Sequence, residues 1–266
     1  MPELTPADTE KIRDAMLEEV ASRPPTIGVV GVSGVGKSST INTMFKTRLK
    51  ISHTVAGTKE FGATDLSLHF TAGEVKGEMI NLRMVDAPGL GEDKKLDSAY
   101  IQMYKDNLPL CDVILWVMNA RNRAVALDQI YLEEFKEFGS RIVFGINQVD
   151  LVHPMDWHPA SPIPSVNMEK HIEEIVKDRS EKIQSVLNAP VKIIAYSAEK
   201  GYNLEQLFAL LIDSIPSQRK WLFASLKNFS FRDFVPVELA SVVDSQSGKG
   251  KRKDAFSLLS RLFNQD

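Results

Sequence analysis

The segment 31-GVSGVGKSS-39 separates a short apolar strand, Thr26–Val30, from a predicted helix over Ser39–Lys46. It matches the pattern G-x-x-x-x-G-K-S, whose glycines let backbone N–H groups face a bound phosphate at a helix N-terminus. The lysine of this pattern reaches the β- and γ-phosphates, and the serine hydroxyl after it ligates Mg²⁺. The sequence therefore predicts a nucleotide phosphate site. Its residues are Gly31, Ser33, Gly34, Val35, Gly36, Lys37, Ser38 and Ser39.

The composition is that of an ordinary globular protein. The chain has 266 residues and a formal net charge of −3, which argues against a globally basic surface for nucleic acid. Its one cysteine, Cys111, excludes an intrachain disulfide framework and opens an apolar run, which favours a buried structural thiol over a reactive one. There is neither a signal-peptide pattern nor an apolar run near the roughly 20 residues that cross a bilayer. We therefore expect a cytoplasmic protein.

Strands and helices alternate along most of the chain. Hydrophobic patterning predicts strands at Thr26–Val30, Asp65–Phe70, Met79–Val85, Val113–Met118, Arg141–Ile146 and Val191–Ala195. It predicts later helices at Lys95–Asp106, Leu127–Phe138, from Asn167 onward and at Leu204–Ile212. This alternation indicates an α/β fold of three layers around a mostly parallel six-stranded sheet, with Met79–Val85 antiparallel to the strand before it. Ligands of such sheets bind at the carboxyl ends of the strands.

Both ends of the chain differ from this middle part. We expect residues 1–25 to form an N-terminal helical extension, residues 26–216 one domain, and residues 217–266 a C-terminal helical appendage. The appendage contains the basic cluster Lys249–Lys253 followed by a short amphipathic helix, Ala255–Phe263. That combination could contact RNA or an anionic membrane, but we favour a flexible linker with a helix that docks on the domain or on a protein partner.

Three further motifs follow predicted strands. The motif 86-DAPG-89 matches D-x-x-G, in which the carboxylate holds Mg²⁺ through water and the glycine amide senses a γ-phosphate. The motif 147-NQVD-150 approximates N-K-x-D, and 197-SA-198 follows the last strand. All lie in the order expected of a guanine-nucleotide site and at strand ends.

With these motifs the chain resembles the translation-factor-related GTPases of the Era and TrmE type, over about residues 26–216. Its phosphate loop is also similar to those of septins, chloroplast-import GTPases and immunity-related GTPases. The resemblance implies a P-loop G domain that binds GTP and GDP with Mg²⁺ and hydrolyses GTP to GDP and phosphate. An ATP-dependent P-loop enzyme would leave the motifs 147-NQVD-150 and 197-SA-198 unexplained.

Guanine offers paired N1 and N2 donors, which one carboxylate accepts bidentately, and adenine offers no such pair. Asp150 is the predicted acceptor. The resemblance implies that Asn147 ties the base loop, residues 147–150, to the phosphate loop, residues 31–39. It also implies that Ser197 and Ala198 form the loop whose amide meets the guanine carbonyl. Gln148 stands where the family usually has lysine, so we expect weaker binding with guanine specificity retained.

The residues for hydrolysis follow from the same resemblance. Lys37, Thr64 and Gly89 are the predicted catalytic residues, and Ser38, Thr64 and Asp86 the predicted Mg²⁺ ligands. Thr64 lies directly ahead of the predicted strand Asp65–Phe70, and Thr58 is the alternative for the same role.

Leu90 stands where Ras-like enzymes have a glutamine that orients water, and a leucine cannot do so. We therefore expect slow intrinsic hydrolysis, stimulated by a protein partner or by self-association through the G domain. Potassium-dependent relatives generally carry asparagine at the position of Gly34, so the sequence argues against stimulation of hydrolysis by potassium. The alternative function is a nucleotide-loaded scaffold with little or no turnover.

Overall fold

A computed structural model describes residues 22–45, 62–70, 79–91, 94–121, 125–159, 162–220 and 234–236, together with Lys11, Ala15 and Glu18. Within these residues the chain forms one sheet with helices on both faces. Its strands are β1 (Thr26–Val30), β2 (Gly62–Phe70), β3 (Met79–Asp86), β4 (Val113–Asn119), β5 (Ile142–Asn147), β6 (Lys192–Ala195) and β7 (Phe234–Pro236).

The strand order is β6-β5-β4-β1-β3-β2-β7. The five strands from β6 to β3 are parallel, whereas β2 runs antiparallel to β3 and β7 antiparallel to β2. The carboxyl ends of β1, β3, β5 and β6 therefore meet at one edge of the sheet. This edge carries all four predicted motifs.

The helices are α1 (Lys37–Phe45), α2 (Lys94–Asn107), α3 (Ala126–Glu134), α4 (Val166–Leu187) and α5 (Leu204–Asp213). Alternate residues of β4 point to opposite faces, which places Val113, Leu115 and Val117 in one apolar core and Ile114, Trp116 and Met118 in the other. Apolar residues of α1 and α5 complete the first core, and those of α2, α3 and α4 complete the second.

These observations confirm the predicted α/β fold class with a parallel sheet between helical layers. The predicted count of six strands is wrong, because β7 adds a seventh at the sheet edge beside β2. The predicted helix Leu127–Phe138 is also too long. It ends at Glu134 and continues as a 3-10 helix, Lys136–Arg141. A 3-10 turn aligns residues three apart, and both Phe135 and Phe138 are buried there.

The two predicted extensions lie largely outside the described residues. In the N-terminal segment Lys11, Ala15, Glu18 and Ser22 have helical conformation. In the C-terminal segment the described parts are residues 217–220 and β7, so this segment contributes an edge strand to the sheet. No helix among the described residues is both long enough and apolar enough to cross a membrane.

A buried ion pair connects Arg219, shortly after α5, to Asp112. Asp112 directly precedes β4, at the end of the sheet opposite the predicted motifs. Arg219 Nε donates to Asp112 Oδ1 at 2.6 Å, and the Asp112 side chain is 1% exposed. Asp112 Oδ2 also accepts from the Thr26 N–H at 2.9 Å, and Arg219 donates to the Arg23 carbonyl. Residues on both sides of the predicted boundaries at 25 and 216 therefore share one cluster.

Candidate functional site

The phosphate loop has a backbone that glycine alone accommodates at two points. Gly31 and Gly36 have φ values of 141° and 90°, in the region that favours glycine. A Cβ on Gly31 would lie 2.3 Å from the Val117 carbonyl oxygen, and one on Gly36 would lie 2.5 Å from Asn147 Nδ2. The loop is therefore packed tightly against β4 on one side and the base loop on the other.

Lys37 lies at the first position of α1, and its side chain folds back over the loop. Its Nζ donates to the carbonyls of Gly31 and Val32 at 3.1 and 3.2 Å, and the residue is 8% exposed. The ammonium thus lies over the phosphate loop, beside the N-terminus of α1. This arrangement concentrates positive charge where a phosphate would bind.

Ser38 and Asp86 lie side by side at the carboxyl end of β3. The Ser38 hydroxyl donates to Asp86 Oδ2 at 2.8 Å, and Asp86 is 7% exposed. Hydroxyl and carboxylate oxygens are the hard ligands that Mg²⁺ prefers, and the ion usually keeps waters and substrate phosphates in its remaining positions. The donor set therefore fits Mg²⁺. No group of three or more His, Cys, Asp or Glu in the described part of the chain forms a separate metal site.

The segment after Asp86 is attached to the phosphate loop through the backbone. The Leu90 N–H donates to the Gly31 carbonyl at 3.4 Å, and the Ser33 N–H donates to the Leu90 carbonyl at 3.1 Å. Gly89 lies within this attached segment. The Tyr104 hydroxyl adds a bond to the Pro88 carbonyl at 2.7 Å, and burial raises the pKa of this phenol, which keeps it a donor.

The Leu90 side chain points away from this site. It is 0% exposed and belongs to the apolar core that contains Val30 and Tyr104. A group at position 90 that oriented water would therefore need a different side-chain direction from the one that Leu90 has.

Asn147 joins three loops, as predicted for its tie to the phosphate loop. Its Nδ2 donates to the Val35 carbonyl at 3.0 Å, and its Oδ1 accepts from the Ala198 N–H at 3.0 Å. The residue is 2% exposed. A guanine carbonyl would have to share the Ala198 N–H with Asn147, so that role of Ala198 stays a prediction.

Asp150 is oriented by the loop that follows β6. The Ser197 hydroxyl donates to Asp150 Oδ1 at 2.6 Å, and the same hydroxyl oxygen accepts from the Lys200 N–H at 3.0 Å. The two predicted base-reading motifs are therefore in contact. Ser39 lies in α1 directly after Ser38.

Gln148 also contacts the phosphate loop, and it does so with a partner that sequence reasoning missed. Its Nε2 donates to the Gly34 carbonyl at 3.3 Å, and its Oε1 accepts from Asn119 Nδ2 at 2.6 Å. Asn119 is the last residue of β4, at the same sheet edge as the motifs. A polar residue that ends a buried strand was the available signal for it.

Thr64 is not placed as the sequence predicted. β2 begins at Gly62, so Thr64 is its third residue and pairs with Met84, while Gly62 pairs with Asp86. Thr64 therefore lies in the strand rather than directly ahead of it, because regular pairing with β3 continues up to the level of Asp86. Its roles in Mg²⁺ binding and catalysis stay predictions, and Thr58 lies outside the described residues.

Sequence comparisons relate the chain to GTPases. Residues 26–148 match the family described as 50S ribosome-binding GTPase. The chain is 26% identical over 227 residues to the uncharacterised protein YfjP of Escherichia coli, covering 84% of this chain and 74% of YfjP. It is also 26% identical over 194 residues to GTPase Era of Aquifex aeolicus, covering 71% of this chain and 56% of Era.

Solved structures with a similar fold include complexes with GDP. An Aquifex aeolicus Era variant bound to GDP and AlF4⁻ matches with 25% identity and a TM-score of 0.52, over 72% of this chain and 57% of Era. Arabidopsis thaliana Toc33 in complex with GDP and Mg²⁺ matches with 17% identity and a TM-score of 0.53, over 80% of this chain and 93% of Toc33. The Toc33 match supports the fold alone. The chain spans little more than half the length of Era.

Proposed function

We propose that the chain contains a P-loop GTPase domain of the Era-like class and is a Mg²⁺-dependent guanine-nucleotide switch with slow intrinsic hydrolysis. One observation carries the proposal: Asn147 bonds to both Val35 and Ala198. That pair of bonds brings the phosphate loop and both base-reading loops to one place. A guanine nucleotide is the ligand whose base and phosphates would use all of these loops together.

The residues present have complementary tasks in the proposed reaction. Lys37 would stabilise the negative charge that develops on the β–γ bridging oxygen as water attacks the γ-phosphorus in line. Bound Mg²⁺ would neutralise phosphate charge, and Ser38 and Asp86 would hold it. Asp150, oriented by Ser197, would accept the N1 and N2 donors of guanine.

Slow turnover is the finer part of the proposal, and Leu90 supports it. Its side chain lies in the core, so a water-orienting group would have to come from another residue, a protein partner or a second copy of the chain. The same observation favours a second candidate function, a scaffold that holds nucleotide without meaningful turnover. Phosphate release measured over a range of protein concentrations, with and without potassium, separates the two.

Nucleotide competition tests the base assignment. We expect GDP to displace a fluorescent guanine nucleotide in the presence of Mg²⁺, and ATP to fail. Asp150→Asn should shift preference towards xanthine nucleotides, because the amide offers a donor where xanthine has an acceptor. Asp156→Asn is the matched control, since Asp156 is an exposed carboxylate in the following loop. Equal displacement by ATP and GDP would remove the assignment.

Calorimetry tests the phosphate site separately. Lys37→Ala should abolish measurable binding of the triphosphate, because it removes the ammonium that lies over the phosphate loop. Unaltered GTP affinity in this variant, with an unchanged melting temperature, would count against the proposed site.

A further inference from the structure

Two side-chain amides form a chain of hydrogen bonds between β4 and the tip of the phosphate loop. The Arg121 N–H donates to Asn119 Oδ1 at 2.7 Å, Asn119 Nδ2 donates to Gln148 Oε1 at 2.6 Å, and Gln148 Nε2 donates to the Gly34 carbonyl at 3.3 Å. Gly34 itself is exposed and has a φ of 75°.

The polarity of this chain is fixed at both ends by backbone groups. A backbone N–H can only donate and a backbone carbonyl can only accept, so the orientation of each intervening amide is determined. Arg121 forces Asn119 to present its NH₂ group to Gln148. Asn119 in turn forces Gln148 to present its own NH₂ group to Gly34. Reversing either amide would set oxygen against oxygen or NH₂ against NH₂.

The position of Asn119 suits this task. Asn119 pairs with Asn147 in the parallel ladder of β4 and β5, and Gln148 follows directly with a left-handed φ of 63°. The two amides thus approach each other from neighbouring strand ends. Asn147 holds the buried Val35 carbonyl, and Gln148 holds the exposed Gly34 carbonyl one residue earlier.

We propose that Asn119 is a nucleotide-positioning residue, which acts through Gln148 to fix the tip of the phosphate loop. The inference rests on the proposed guanine-nucleotide function. A glutamine can hold the Gly34 carbonyl only when the NH₂ group of its amide, rather than the oxygen, faces that carbonyl. A lysine at that position presents donors alone and needs no neighbouring residue to orient it. Asn119 therefore supplies the orientation that the substitution of lysine by glutamine requires.

The test measures the affinity for GDP with Mg²⁺ in the full chain. Asn119→Ala should weaken binding about three- to tenfold, the effect of one lost hydrogen bond. Asn119→Asp should weaken it at least as much, because the carboxylate still accepts from Arg121 but sets an oxygen against Gln148 Oε1. This second variant keeps the bond to Arg121, which separates the donor role of Asn119 from its role in shaping the loop.

The same substitutions in a Gln148→Lys background distinguish positioning from general stability. There we expect Asn119→Ala to change GDP affinity by less than about twofold, within the spread of a weak exposed contact. In this background Asn119→Asp should bind GDP at least as tightly as Gln148→Lys alone, because the new ammonium pairs with the carboxylate. Thermal unfolding of each nucleotide-free variant checks that all are folded.

Two results would overturn the inference while leaving the proposed function intact. One is GDP binding by Asn119→Ala equal to that of the unmodified protein. The other is the same loss for Asn119→Ala and Asn119→Asp in both backgrounds, which would show a purely structural role. Unmodified protein with no affinity for GDP would instead overturn the proposed function, and the inference with it.

Discussion

Replacing Leu90 by glutamine should leave the rate of GTP hydrolysis unchanged and should destabilise the fold. The substitution restores the residue type that orients water in Ras-like enzymes, yet the side chain at this position is 0% exposed and packs in the core with Val30 and Tyr104. Its backbone N–H and carbonyl are both hydrogen-bonded to the phosphate loop, and these bonds hold the side chain towards the core. A glutamine there would be a buried amide rather than a catalytic group.

The size of the destabilisation follows from two contributions. A fully buried leucine side chain stabilises a fold by about 1.5–3 kcal/mol through burial of apolar surface. An amide placed there without partners costs about 1–3 kcal/mol more. We therefore expect Leu90→Gln to lower the free energy of unfolding by about 2.5–6 kcal/mol. For a domain of this size that corresponds to a fall in melting temperature of roughly 5–24 °C.

Two measurements on one protein preparation check this prediction. Phosphate release at saturating GTP should be no faster in Leu90→Gln than in the unmodified protein, and calorimetric unfolding should show the lower melting temperature. Leu90→Met is the control, because a volume-conserving apolar change costs less than about 1.5 kcal/mol. A tenfold faster turnover in Leu90→Gln with an unchanged melting temperature would refute the reasoning, since it would require the side chain to reach the nucleotide.

Three further predictions concern buried polar groups. Burial raises the pKa of Asp128, whose Oδ1 accepts from Trp116 Nε1, above its ordinary 3.8. The stability supplied by the neutral carboxyl is complete below pH 3.8 and is lost as the pH rises through the folded-state pKa. Asp128→Asn should therefore raise the melting temperature at pH 7, with a gain that shrinks towards pH 4. Arg219→Met should lower the free energy of unfolding measured in urea by up to about 3–5 kcal/mol, because it leaves the buried Asp112 carboxylate with only the Thr26 N–H and the half-exposed Arg23 as partners. Adding Asp112→Asn should recover part of the loss, and equal losses in the single and double variants would contradict this. Cys111 is 0% exposed, and burial raises the pKa of its thiol to about 12, so a thiol reagent should modify it only after denaturation; rapid labelling of the native protein would be the opposing result.

The ion pair of Arg219 bears on where the domain ends. The sequence places the predicted boundary after Pro216, just beyond the predicted helix Leu204–Ile212. Arg219 nevertheless reaches Asp112 and the carbonyl of Arg23, and β7 pairs with β2. We propose that the folded unit extends past residue 216 and includes β7. Truncation after residue 216 should then destabilise the domain, as thermal unfolding of the shortened chain would show.

Much of the fold could be predicted because its signals are local. β1 is found as predicted, and β4 and β5 differ by a residue at their ends, since a continuous apolar run flanked by turns marks a buried strand whatever its neighbours are. The start of β2 could not be found in this way. Its first residues, Gly62 to Thr64, have no clear pattern of their own and become a strand by pairing with β3.

The sequence alone determined which loops carry the predicted nucleotide-binding motifs, because each motif is a short run of glycines, hydroxyls and carboxylates at fixed spacing. Tertiary structure alone decided that Leu90 faces the core, that Asn119 guides Gln148 towards Gly34, and that Arg219 holds Asp112. The partners in these contacts are separated by as many as 114 residues along the chain. Which of them meet depends on the order and direction of strands in the sheet, and no local pattern specifies that order.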